Sequence, residues 1–391
     1  MNTRQDTHQK VIPPISTEFS GNRGDYRNST KNEELESIRG LAAFLVVFFH
    51  LPKWNPVLNI GFINNAYLMV ELFFVLSGFV IFNAYAEKIE LKKDLLRFQF
   101  LRFGRLYPVH IVFLFVFLVI EIIKYIASIK LGINSPNSIP FEENNLSMLI
   151  KGIFLISSVL PNQPTTTFNY PAWSVSVEFY TYLVFASSIL FFKRHCRTLF
   201  SALAVISLLM LATERTFGFE SLLSCFAGFF IGCLTAMFTR NIAPNLPKFA
   251  SLLAFSAIVL FLQLKTTTDF DPLIYLLAAA LIASIALSAD GLLKRVLSLK
   301  IFTGLGVISY SVYMSHAAIE WVANQVIRVV LKKPEIIRAD GRSIPQLTQL
   351  ETLFACMAVV TVVLLVSAFV YTFIEKPMRE KSRRFAFSKL N

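Results

Sequence analysis

The stretch LESIRGLAAFLVVFFH at 35–50 sets an arginine, Arg39, and a histidine, His50, in one apolar run. Ionisable side chains are costly in hydrocarbon, and those that stay there tend to mark sites or pathways. On a helix, the interval between the two turns through about three full circles at ~100° per residue, so both point along one face, about 16 Å apart. Arginine suits a fixed anion such as a phosphate. Histidine suits proton transfer near neutral pH, or nucleophilic attack. One face carrying both at two depths fits a path through a membrane.

Further groups of this kind follow along the chain. Glu71 lies in LMVELFFVLSGFVIF, where Ser77 and Gly78 permit close helix approach and packing is their plainer reading. In KKDLLRFQFLRFGRLYPVH, Arg102 and Arg105 share a helix face. Anchoring at a membrane surface and a bidentate grip on phosphates account for them equally well. Pro108 is expected in the first turn of the helix that follows. In NYPAWSVSVEFYTYL, Trp173 suits an interfacial belt, Glu178 lies deeper and needs a partner, and Ser174 is one turn away from it. The stretch SYSVYMSHAAIEW aligns Tyr310, Tyr313, His316 and Glu320 in one seam. A hydrogen-bonded packing histidine is the plainer reading of His316. The functional one gives Trp173, Tyr313 and His316 contact with a substrate. Glu121 and Lys124 read as a structural pair. Glu375, in FIEKPMRE, falls near Arg39 and Arg105 in depth and could orient them.

No phosphate-binding glycine loop, GxSxG elbow or metal-ligand spacing occurs, so no metal is expected, and Cys196, Cys225, Cys233 and Cys356 read as small core residues. Arginines at one rim with a histidine and carboxylates deeper in suit an anionic cofactor entering from the cytoplasm, with proton transfer further along.

The elements that must position these residues follow from composition. The chain has 391 residues, 55% hydrophobic and 16% charged. Its apolar blocks approach the ~20 residues that span a bilayer, and nothing alternates as a barrel strand does. The fold class expected is all-α, a polytopic membrane helix bundle. Apolar segments fall near 38–51, 67–86, 106–127, 146–160, 173–192, 198–213, 219–238, 248–264, 270–289, 303–330 and 350–374. If 146–160 does not span, Lys and Arg concentrate on the side of the N-terminus; if it does, the asymmetry vanishes. Positive residues collect on the cytoplasmic side. About ten transmembrane helices with both termini cytoplasmic result, and 146–160 lies in or dips into the outer face. The net charge of +12 then reflects basic cytoplasmic loops, and no nucleic-acid partner is expected. Residues 1–34 read as a polar flexible cytoplasmic tail without a cleavable signal, 35–380 as the membrane domain, and 381–391 as a basic cytoplasmic tail.

Taken in order, Arg39 and His50 with ten residues between them, ELFFVLSGF at 71–79, RFGRLYP at 102–108, WSVSVEFY at 173–180, GVISYSVYMSH at 306–316 and EKP at 375–377 resemble the acyltransferase 3 family. These are integral membrane O-acyltransferases that decorate cell-surface glycans, including lipopolysaccharide O-antigen, exopolysaccharide and rhizobial Nod factors. The resemblance implies a bacterial inner (cytoplasmic) membrane protein whose donor is a cytoplasmic acyl-CoA, usually acetyl-CoA. The acceptor implied is a sugar hydroxyl on a polysaccharide or lipid-linked glycan. Carried over by residue, Arg39, Arg102, Arg105 and Glu375 serve the donor. His50 is the catalytic group, as general base or transient acyl carrier, with Glu178 or Glu71 orienting it or meeting acceptor hydroxyls. Met69 departs from the pattern, since members usually have glycine there. No appended esterase-like domain is expected.

A secondary transporter, or a non-catalytic membrane component of polysaccharide assembly, is the competing interpretation. Transporters tend to show internal repeats with matching broken helices, and the motifs of the first three helices have no echo later in the chain. Intact Arg39, His50, Arg102 and Arg105 argue against a partner without chemistry.

Overall fold

The fold is given by a computed structural model that describes residues 26–164, 167–338 and 341–389. The chain is mostly helical. The helices are α1 (Tyr26–His50), α2 (Gly61–Asn64), α3 (Met69–Tyr85), α4 (Lys92–Leu131), α5 (Leu146–Ile153), α6 (Ala172–Phe192), α7 (Cys196–Ala212) and α8 (Glu220–Arg240). There follow α9 (Ala250–Leu264), α10 (Leu273–Leu287), α11 (Leu292–Leu297), α12 (Lys300–Val307), α13 (Ser309–Gln325), α14 (Gln349–Val370) and α15 (Lys376–Lys389). Between α13 and α14 a small antiparallel hairpin pairs β1 (Glu335–Ile337) with β2 (Ser343–Pro345), an addition to the helical class expected.

Among the described residues, six helical stretches are long and apolar enough to cross a membrane: 66–85, 92–131, 172–212, 220–240, 268–287 and 349–388. The protein is an integral membrane protein. The stretch 172–212 is not one rod. A turn at Lys193–His195 separates α6 from α7, and the rings of Phe185 and Phe200 stack across it at 6.0 Å. Neither α1 nor α13, which carry Arg39, His50 and His316, belongs to the six.

Several boundaries differ from the sequence expectation. The helix α1 starts at Tyr26, inside the stretch assigned to the tail, while residues 1–25 lie outside the described ones. The basic terminal stretch is helical to Lys389 rather than an open tail. Pro108 is not in a first turn: α4 runs for 40 residues and holds it in its interior. At ~1.5 Å per residue this helix is about 60 Å long, twice the ~30 Å hydrocarbon core, so its basic first third projects beyond one side. It stops at Gly132, whose φ of 65° supplies the left-handed C-cap.

The segment that contains α5 is not among the six. Its start is tied to α4 by Asn144 Nδ2, which donates to Glu121 Oε1 at 2.7 Å. Glu121 is itself paired with Lys124 at 2.8 Å. The segment then runs back along α4 until His110 Nε2 meets the Gly152 carbonyl at 2.9 Å. Three turns of α4 separate these anchors, about 16 Å of depth. Irregular backbone at such depth must be satisfied by protein. Tyr180 donates to the Phe154 carbonyl at 3.1 Å and Ser176 to that of Leu155. Lys151, the charge that made this segment a poor span, donates to Gln163 on the returning limb at 2.6 Å. The segment folds back along α4 and is held there by protein groups.

The bundle closes on glycines. A Cβ on Gly78 of α3 would strike the Phe229 carbonyl of α8, and one on Gly232 would strike that of Val75 in return. On α1, a Cβ at Gly40 would lie 2.5 Å from the Gly306 nitrogen of α12. Backbone contact of this kind is how helices pack where water gives no hydrophobic drive. Gly78→Leu or Gly232→Leu is expected to force α3 and α8 apart and cost about 3 kcal/mol or more. The check is membrane yield and thermal midpoint in detergent, both of which should fall well below those of a lipid-facing Leu276→Ala control.

Candidate functional site

At one end of the bundle α1, α4 and α15 converge. Gly104 makes this possible, because a Cβ there would collide with the Ser382 side chain of α15. A π turn at Tyr371–Glu375 joins α14 to α15. Arg39 of α1, Arg97, Arg102 and Arg105 of α4, and Arg379 and Arg383 of α15 line one basin, which encloses about 1560 Å³ of space open to solvent. Glu36 and Asp94 are the carboxylates on its wall. Arg102 is buried against two rings, its guanidinium 5.0 Å from the Tyr85 centroid and 5.7 Å from that of Phe98. It donates to the Tyr85 hydroxyl at 2.8 Å, and its buried Nε has no protein acceptor. Such a donor fits an anion brought by a ligand.

Glu375 lies behind these arginines. It is 3% exposed and accepts from Ser311 Oγ at 2.7 Å, with Arg105, Arg379 and Arg39 as its electrostatic neighbours. The π turn places a carboxylate where it can steady three guanidiniums, in the position expected of it. The α15 arginines are new. Arg383 falls in the stretch 381–391 read as a basic tail, and Arg379 lies just before it without being singled out; their spacing of one helical turn was the available signal.

A chamber of about 730 Å³ continues from the basin and shares Arg39, Arg102 and Arg105 with it. Its walls are apolar where Val70, Phe73, Phe74 and Val175 meet, and polar along Ser77, Glu178, Tyr182 and Tyr310. Glu178 takes its hydrogen bond from Tyr182 OH at 2.6 Å, and Tyr182 also meets Ser77 Oγ at 2.8 Å. Ser174 does not serve Glu178 as its spacing suggested; it bonds Tyr313 OH at 2.8 Å and donates to the Pro171 carbonyl at 3.2 Å. The partner of the acid is one turn after it, not one turn before. Ser77 has left plain packing for the chamber wall, while Gly78 keeps it.

At the far end of α1, His50 Nδ1 is 3.0 Å from the Val46 carbonyl and 3.3 Å from His316 Nε2. The Tyr170 ring lies 4.7 Å from the His50 ring, and its hydroxyl donates to Glu320 at 3.2 Å. His50 does not line the chamber. Tyr313 does, and its ring lies 5.9 Å from that of His316, so the chamber approaches the histidine pair through Tyr313. His316 is fully buried behind His50. Tyr170 had no signal in the sequence, because it precedes α6 in irregular chain.

Glu71 and Trp173 stand apart from this line. Both border a separate pocket with Glu214, Glu220, Asp269 and Asp271. Glu71 accepts from Ser224 Oγ at 3.3 Å, whereas its neighbours Val70 and Phe74 face the chamber. The Trp173 ring packs edge-on against Phe74 at 6.0 Å, on the far side of the chamber wall. The structure therefore brings Arg39, Arg102, Arg105, Glu178 and Tyr313 to the basin and the chamber that adjoins it, sets Glu375 behind the arginines, and pairs His50 with His316, while Glu71 and Trp173 line another pocket. Among the described residues no group of His, Cys, Asp and Glu could hold a metal ion.

An arginine-lined basin inside an integral membrane bundle, set beside the sequence comparisons, marks a membrane acyltransferase. The profile of the acyltransferase 3 family, described as an acyltransferase domain, matches residues 32–370. The chain belongs to that family. Protein 2 in the picA locus of Rhizobium radiobacter is 30% identical over 163 residues, 39% of this chain and 79% of that protein. No solved structure matches.

Tyr182→Phe is expected to leave the chamber-wall carboxylate of Glu178 without its hydroxyl donor and to cost about 1–2 kcal/mol. The measurement is the thermal midpoint of the detergent-solubilised protein at unchanged membrane yield. A midpoint equal to that of the wild type would show that this hydrogen bond carries no load.

Proposed function

We propose that the protein moves an acyl group, acetyl in the first instance, from acyl-CoA to a sugar hydroxyl of a cell-surface polysaccharide or lipid-linked glycan. The observation that carries this reading is the arginine basin, which shares Arg39, Arg102 and Arg105 with a chamber whose wall residue Tyr313 packs against His316. CoA bears three phosphate groups on a long flexible arm, which matches cations at one end of a path and a base at the other. The basin takes the phosphates through Arg102 and Arg105 with help from Arg39, and Glu375 steadies them. The pantetheine arm has about 16 Å of helix rise to cover between Arg39 and His50.

In the transfer, the acceptor oxygen attacks the thioester carbonyl while His50 Nε2 takes the hydroxyl proton. The carbon–sulfur bond then breaks, and the proton passes from His50 to the departing thiolate, leaving ester and CoA. A transient acyl-imidazole at the same nitrogen is the other route open to this residue. Glu178 sits where it can meet the donor or the acceptor in the chamber. Trp173, Tyr313 and Glu71 are assigned to acceptor recognition.

Lys and Arg placement supports about ten spans with both termini and the arginine end in the cytoplasm, in the inner membrane of a bacterium. On this orientation the histidine end and the acidic pocket face outward, where cell-surface glycans are assembled.

The test incubates membranes containing the protein with labelled acetyl-CoA and cell-envelope glycan. His50→Ala is expected to lower label transfer by about 100-fold or more at equal membrane yield. Arg102→Ala and Arg105→Ala are expected to raise KM for acetyl-CoA about 10-fold each, with smaller effects on kcat. Undiminished transfer by His50→Ala would remove that residue from the chemistry. Sugar uptake without ester formation would make the protein a transporter.

A further inference from the structure

The paired histidines, His316 buried and His50 half-buried, have a defined proton arrangement. A carbonyl only accepts, so the 3.0 Å contact with Val46 requires the proton of neutral His50 to be on Nδ1. Nε2 then keeps its lone pair. His316 Nε2 stands 3.3 Å from the same Nδ1 and must present a lone pair to it, since two N–H groups at that distance would repel. The proton of His316 is then on its own Nδ1, a buried atom with no hydrogen-bond acceptor among the described residues. Among the described residues no carboxylate takes the His50 proton; Glu320, one turn beyond His316, accepts from Tyr170 instead.

We propose that His316 is a positioning residue for the transfer: its Nε2 lone pair, with the Val46 carbonyl, holds His50 in the tautomer whose Nε2 is free to take the acceptor proton. When that proton arrives, the imidazolium keeps both acceptors on Nδ1. In serine hydrolases a buried carboxylate fills this place behind the base. Here the acceptor is neutral. His316 is 0% exposed, and a fixed negative charge there would need a partner of its own in the bundle. His316 neither gains nor loses a proton in the cycle. The proton travels from the acceptor hydroxyl to His50 Nε2 and on to the thiolate of CoA. The proposal rests on the assignment of His50 as base.

The experiment compares His316→Leu with His316→Gln in the full-length protein, reading kcat and KM for acetyl-CoA in the glycan-transfer assay. Leucine fills the buried space without an acceptor, whereas the glutamine Oε1 can accept from His50 Nδ1. His316→Leu is expected to lose about 100-fold in kcat with KM within about 3-fold of the wild type. His316→Gln is expected to recover at least about 10-fold of that loss. Equal kcat in the two variants would overturn the proposal, as would wild-type kcat in His316→Leu. A rise in KM at unchanged kcat would make His316 a substrate contact and would overturn it too. His50→Ala, run in parallel, separates the two ideas: if it stays active, the base assignment itself falls. If it is inactive and the Leu and Gln variants do not separate, only the role of His316 falls.

Discussion

Arg39 stands midway along α1 and His50 at its end, and a helix face with such residues cannot be turned to lipid. The rest of the bundle answers that constraint. Along α1 the neighbours α3, α12 and α13 close in, and the contact of Gly40 with Gly306 brings two backbones together where side chains would hold them apart. At the arginine end the burial of charge is relieved by Glu375, by the Tyr85 and Phe98 rings and by an opening to solvent. At the histidine end there is no such opening beside His50 among the cavities described, and relief comes from neutral groups: a carbonyl, a second imidazole and the Tyr170 ring. Charged partners at one end and neutral ones at the other are what burial of a permanent cation and of a titratable base each require.

The same physics separates polar residues that serve the backbone from those free to serve a ligand. His110 is buried like His316, yet its Nε2 is committed to the Gly152 carbonyl of the α5 segment. Ser176 and Tyr180, two of the hydroxyls in the WSVSVEFY stretch, are likewise spent on carbonyls of that segment. Ser77, Tyr182 and Glu178 instead bond one another along the chamber wall. One stretch of α6 thus holds both the scaffold that lets the chain re-enter the bundle and the polar wall of the cavity.

Much of the line from Arg39 to Glu375 was legible in the sequence because it depends on helical period. The Arg39–His50 face, the Arg102–Arg105 pair and the Tyr310–Tyr313–His316 seam need only ~100° per residue to be right. What period cannot supply is which of two turns an acid faces, and there the expectation for Ser174 failed: both Ser174 and Tyr182 lie one turn from Glu178, and packing against Tyr313 decided between them. Pro108 was misplaced because an apolar count starts a helix where hydrophobicity starts, whereas α4 begins at Lys92 in a basic stretch. The part of α15 that contributes Arg383 was hidden for the same reason. Polar sequence reads as tail until something shows it a surface, and that surface is the groove left by Gly104, a contact distant in sequence. Tyr170 and the depth of the α5 segment also depend on non-local hydrogen bonds.

Charge is divided between the cavities as well as within them. The basin and chamber hold six arginines between them, while the pocket behind Phe74 and Trp173 is bordered by Glu71, Glu214, Glu220, Asp269 and Asp271. Not all of that acidity is free, since Lys265 pairs with Asp271 at 2.6 Å. The remaining carboxylates would still repel a polyanion, as focused fields in low-dielectric walls do. A polyanion would thereby be attracted to the arginine basin and disfavoured at the acidic pocket. The ring contact of Phe74 with Trp173 lies between the two fields. Directionality in this fold therefore does not need a moving gate. It follows from where the arginines and carboxylates are fixed.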